Sequence, residues 1–147
     1  MKVACCLIMI MPLLAIGPVR AGEETIEVTI DVLQPTDEPG EMAPGLRYLE
    51  KTMRRSPLKY QNYLELATAF RAIPLGKEET ISFQLRRHLK LVIIPKNFNA
   101  RTVQFSLKLW ADSRLILDTE LSLVRKGTVM IGAPGNPNLI IALSEGF

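Results

Sequence analysis

From residue 25 onward, apolar and polar side chains alternate along most of the chain, with short polar interruptions. The plainest line is Thr102-Val103-Gln104-Phe105-Ser106-Leu107-Lys108-Leu109, where Val103, Phe105, Leu107 and Leu109 share one face of an extended backbone. Thr25 to Val32 alternates in the same way, with Ile26, Val28, Ile30 and Val32 on one side and Glu27, Thr29 and Asp31 on the other. Both predict strands with one face buried and one in solvent. Further strands are predicted over Thr80 to Leu85, Leu89 to Ile94, Thr128 to Ile131 and Leu139 to Leu143. Another has Leu115, Leu117, Leu121 and Leu123 on its inner face, with Thr119 between them.

The interruptions are rich in residues that set turn dihedrals. Gln34 to Gly40 holds two prolines and a glycine and reads as an exposed connection, as do Pro74 to Lys77, Pro95 to Ala100, Ala111 to Ser113, Arg125 to Gly127 and Gly132 to Asn138. Only one stretch has a helical period. Leu46, Leu49 and Met53 recur at steps of three and four between Arg47, Glu50, Lys51 and Arg54, predicting an amphipathic helix from Gly45 to Arg55 with Pro44 before it and Ser56-Pro57 after it. Tyr60 to Phe70 fits either period. Its propensity leans to helix, but the strand-rich surroundings favour a strand. The expectation is a mainly β domain, a small antiparallel β-sandwich or open barrel of about eight strands with one short helix.

The first 21 residues stand apart. Met1-Lys2, the apolar run Val3 to Gly17 and the Val19-x-Ala21 site have the three parts of a secretory signal peptide, so cleavage after Ala21 and a single domain over 22–147 are expected. The apolar run is shorter than the roughly 20 residues of a spanning helix. Cys5 and Cys6 both lie in this leader, which leaves the exported domain without a disulfide or a thiolate ligand. Loss of Lys2 and Arg20 also lowers the basic residues from 18 to 16, against 15 acids. Charge is then segregated rather than excessive. Gly22 to Glu50 carries eight acids against Arg47, whereas Arg54, Arg55 and Lys59, and then Arg86, Arg87, His88 and Lys90, form basic clusters. Such clusters suit an anionic partner, such as lipid head groups or acidic glycan, or simply complement the acidic segment.

Candidate chemistry is sparse. His88, the sole histidine, sits behind Arg86 and Arg87, whose charge opposes the imidazolium that a Ser-His-Asp base must form. One histidine without cysteine does not make a zinc site, the acids lack the spacing of a Ca²⁺ loop, and Gly132-Ala133-Pro134-Gly135 lacks the lysine and helix of a phosphate cradle. Asp118 and Glu120 interrupt a leucine-rich strand and are the best carboxylate pair for a hydrolase, but alternation puts both on the wet face. Nucleic acid is a poor partner for an exported domain whose bases are not interleaved with stacking aromatics. Nine aromatics and short strands also fit badly with a transmembrane barrel, although Phe147 ends the chain as in such barrels. Trp110 points away from the Val103 face and is expected to pack beneath the helix or a loop.

Two groups of residues resemble small exported β-rich domains of Gram-negative bacteria: Leu46, Leu49, Pro57, Leu58, Tyr60 and Tyr63, then Lys126-Gly127-Thr128-Val129-Met130-Ile131-Gly132. The resemblance implies a strand after Tyr60 and a periplasmic address. Those domains have no assigned chemistry, so it carries over no site residue. The sequence therefore predicts a non-enzymatic exported module with no catalytic, cofactor or metal residues. It would bind an envelope protein through an exposed strand edge, or through Arg54, Arg55, Lys59, Arg86, Arg87, Lys90, Lys108 and Trp110. The alternative is a peripheral binder of anionic lipid or glycan through the basic members of that set, and the hydrolase ranks last.

Overall fold

The computed structural model describes residues 24–55, 60, 62–133 and 138–146. The leader expected over 1–21, Lys59, Ser56-Pro57 and part of the Gly132 to Asn138 loop lie outside the described residues. Eight strands form in chain order: β1 (Thr25–Thr36), β2 (Asn62–Pro74), β3 (Glu79–Gln84), β4 (His88–Phe98), β5 (Thr102–Ala111), β6 (Arg114–Val124), β7 (Thr128–Ala133) and β8 (Leu139–Glu145). They make two four-stranded antiparallel sheets, β2-β1-β8-β7 and β3-β4-β5-β6. The fold is a β-sandwich, as the alternation predicts, and Tyr60 to Phe70 does supply a strand.

The sandwich is a meander. Consecutive strands pair within each sheet, β8 returns to pair with β1, and the chain changes sheet between β2 and β3 and between β6 and β7, which do not pair. The core between the sheets is built from the alternating positions: Ile26, Val28, Ile30 and Val32 of β1 face Leu89, Leu91 and Ile93 of β4 and Val103, Phe105, Leu107 and Leu109 of β5, all buried.

A second apolar cluster lies on the outer face of the first sheet. There the chain between β1 and β2 folds as a 3₁₀ turn over Pro44–Leu49 that passes into the short helix α1 (Glu50–Arg55). Instead of one α-helix from Gly45 to Arg55, the period changes midway. The step of three from Leu46 to Leu49 suits 3₁₀ geometry and the step of four from Leu49 to Met53 suits the α-helix, so all three side chains reach the sheet. They bury Leu33, Tyr63, Ile140 and Ala142. β8 is consequently covered on both faces, which accounts for its unbroken apolar run Leu139-Ile140-Ile141-Ala142-Leu143.

Three segments read as connections are strand instead. Gln34-Pro35-Thr36 ends β1, Pro74 ends β2, and Pro95 to Phe98 continues β4 through an irregularity between Pro95 and Asn97. One side chain changes face. A register shift between Leu109 and Trp110 puts Leu115 opposite Trp110 on the outer surface, so Leu115 is 40 % exposed rather than part of the inner face.

Candidate functional site

The two ends of the sandwich differ. The β2–β3, β4–β5 and β6–β7 turns gather at one end, and charged contacts close it. Arg71 Nε lies 3.3 Å from Glu79 across the β2/β3 break. Glu145, only 3 % exposed, accepts from Arg125 Nε at 2.9 Å and from the Lys126 amide at 2.6 Å, which clips the β6–β7 turn onto the last residue of β8. An open cleft of about 660 Å³ at this end is lined by Thr25, Glu27, Ala100, Arg125, Lys126, Glu145 and Gly146, with Arg125 and the Lys126 amide bonded to Glu145.

At the opposite end the strands on either side of the β2/β3 break diverge. Between them opens an apolar mouth of about 590 Å³, lined by Gln34, Leu64, Leu66, Leu85, Leu89 and Leu139, with Arg86 and Arg87 at its rim. That volume is within the range of small ligand sites, roughly 300–1,000 Å³. Leu64 stands opposite Gln34, on the side that faces between the sheets, yet it is 52 % exposed. A register shift between Val32 and Leu33 leaves Leu66 as an extra, unpaired residue in β2 just beyond it, the kind of irregularity that kinks an edge strand. β2 pairs with β1 alone and is therefore an edge strand, and of the amides from Asn62 to Leu66 that of Tyr63 donates to Asn62 Oδ1 at 2.8 Å.

The rim cations are not equivalent. Asp112 and Ser113 form the β5–β6 turn with φ of 47° and 67°, the left-handed pair that a two-residue hairpin requires. The Asp112 carboxylate accepts from Arg87 Nε at 3.1 Å and from the His88 amide at 3.0 Å. These contacts, with the Arg87 hydrogen bond foremost, hold its carboxyl below the usual range. Arg87 is thus committed to the neighbouring turn, whereas Arg86 is exposed at the mouth.

Apart from Arg86 and Arg87 at the mouth, the described residues singled out from the sequence fall into two groups on opposite faces. Arg54 and Arg55 lie on α1, over the outer face of the first sheet, and Arg54 pairs with Glu50. Lys90, Lys108 and Trp110 lie on the outer face of the second sheet. Trp110 is not beneath the helix; the Lys90 ammonium sits 5.2 Å from its ring centroid and Leu115 is beside it. Lys108 is 3.9 Å from Asp118, and Lys96 bonds Glu120 at 2.6 Å, so both carboxylates of the hydrolase candidate are exposed partners of lysines. Among the described residues, no group of three or more His, Cys, Asp or Glu side chains converges as metal ligands.

Sequence reasoning missed two features. The mouth is assembled from β1, β2, β8 and the β3–β4 turn, and its one local trace was the imperfect alternation around Leu64 and Leu66. The other is Asp31, predicted to face solvent but 2 % exposed, with Oδ2 unpartnered. Burial pushes its carboxyl up, the Thr68 hydroxyl opposes this, and the nearby Glu65 carboxyl adds to it. The chain has no match among protein-family models, curated proteins or solved structures.

Proposed function

We propose that the protein is a non-enzymatic binding module of the cell envelope that receives an extended segment of a protein partner at the open end of the sandwich. The observation that carries this reading is the mouth itself, where the outer edge of β2, paired on its other side with β1, adjoins the exposed Leu64 and the half-buried Leu66 and Leu85. Exposed apolar surface beside a free strand edge is costly to maintain and invites association. At the other end the comparable break is stapled by ion pairs, so openness is not a general property of this fold.

The anionic-surface reading has weaker support. With Arg54 and Arg55 on one face and Lys90 and Lys108 on the other, a single membrane plane meets only one of these two pairs. Arg54, Arg87 and Lys108 also already have carboxylate partners.

Site-specific photo-crosslinking tests the proposal. A photoreactive residue in place of Leu64, in cells making the full chain, is expected to give a discrete protein adduct. The same residue in place of Val124, which is also exposed and apolar but at the closed end, should give none. Equal labelling at both positions, or none at Leu64, overturns the reading.

A further inference from the structure

We infer that the segment received at the mouth is a β-strand that adds to β2 antiparallel, with the pattern apolar-x-apolar-x-acid. This rests on the open end being a protein-binding site and specifies the chemistry of what binds there.

The backbone sets the mode. Asn62 to Leu66 is paired with β1 only; the Tyr63 amide donates to its neighbour Asn62 Oδ1 at 2.8 Å, and an added strand supplies partners for the other outward-facing groups while extending the first sheet from four strands to five. The β2/β3 break is wide enough only at this end, because Arg71 and Glu79 hold it together near the turn. Antiparallel pairing is the more stable arrangement for so short a contact.

Side-chain period then fixes the sequence pattern. Every second residue of the added strand faces between the sheets, where Leu64, Leu66, Leu85, Leu89 and Leu139 outnumber the single polar side chain of Gln34. Those positions must be apolar. β2 runs away from the open end, so an antiparallel strand runs toward it and its C-terminal residues arrive beside the β3–β4 turn. Arg86 stands there exposed, while Arg87 is held by Asp112, so one cation selects an acidic residue after the apolar pair.

The test uses fluorescein-labelled synthetic octapeptides and the full chain, read by anisotropy. The parent peptide alternates valine and threonine and ends in two glutamates, and a second ends in two lysines. Two further copies of the parent are N-methylated on alternate residues, one along each edge of the strand. The acid-ended peptide is expected to bind at least tenfold more tightly than the lysine-ended one. Arg86→Glu should reverse that order without affecting the fold, since Arg86 is exposed. Only one methylated copy should lose affinity, by tenfold or more, because only one edge meets β2. Equal loss in both methylated copies, an Arg86→Glu variant with unchanged preference, or binding of laurate but of no peptide would overturn the inference. If the peptides fail while the Leu64 crosslink persists, the site stands and its partner has other chemistry. If both fail, the site falls as well.

Discussion

Asp31 and Glu145 are both buried carboxyl groups, and they affect stability in opposite ways. Glu145 has a guanidinium and an amide aimed at it, so Arg125→Ala leaves a desolvated charge with one donor fewer. Because Arg125 itself is about one-third exposed, the expected cost is about 2 kcal/mol, below that of a fully buried pair. Urea denaturation at neutral pH measures it. Asp31 has an unpartnered oxygen and a raised pKa, so the folded state holds its proton more tightly than the unfolded chain does. Its effect on stability is therefore absent at pH below the ordinary carboxylate range and becomes destabilising as pH rises toward the folded-state pKa. Asp31→Asn is expected to raise unfolding free energy at pH 7 by on the order of 1 kcal/mol, and to lose that advantage near pH 3. Parallel urea melts at the two pH values decide it; a wild-type protein that is no less stable than the variant at pH 7 would refute this account. Alternation could not reveal Asp31 as buried. The side it faces is wet in an isolated strand and becomes dry only because the segment from Pro44 to Arg55 folds back over that sheet.

At the scale of elements, the sequence was most legible where one face is dry and one wet, as in β1 and β5, and least legible at prolines. Pro35, Pro74 and Pro95 each lie inside a strand. Each also sits where no neighbour needs the missing amide: pairing of β1 with β8 stops at Leu33, β2 is an edge strand, and β3 stops opposite Ile93. A proline there ends the neighbour, not its own strand. Leu115 was misplaced for a related reason, since a single extra residue inverts every face beyond it. Turns were legible from composition, and one is testable. A Cβ on Gly127 would lie 2.7 Å from the Val124 carbonyl oxygen, the acceptor of the Gly127 amide, while the Gly127 carbonyl accepts from the Glu145 amide. Gly127→Ala is expected to cost about 1–3 kcal/mol. Thermal unfolding should show it as a lowered midpoint, with the Arg125 to Glu145 clip weakened.

For the whole molecule, basic and aromatic positions read as one surface separate once the chain is folded, with Arg54 and Arg55 on α1, Arg86 and Arg87 at the mouth, and Lys90, Lys108 and Trp110 on the second sheet, because sheet order is not encoded in linear clustering. Retention on anionic vesicles is accordingly expected to be weak at low salt and lost by physiological ionic strength. Co-sedimentation with phosphatidylglycerol vesicles across that range checks this, and retention that survives the higher salt would return the membrane to first place among partners. The mouth was illegible for the same reason: its lining comes from four places along the chain, and no local pattern announces their meeting. The pairing of β8 with β1 has a wider consequence. It places the first and last strands side by side inside one sheet, and both described ends lie at the stapled pole, where the Gly146 amide bonds the Glu27 carbonyl. A circular permutant that joins them by a short linker and opens between Asp112 and Ser113 should keep both sheets. The described residues thus form a cup, with the stapled pole as its base and the leucine-lined opening at the other end.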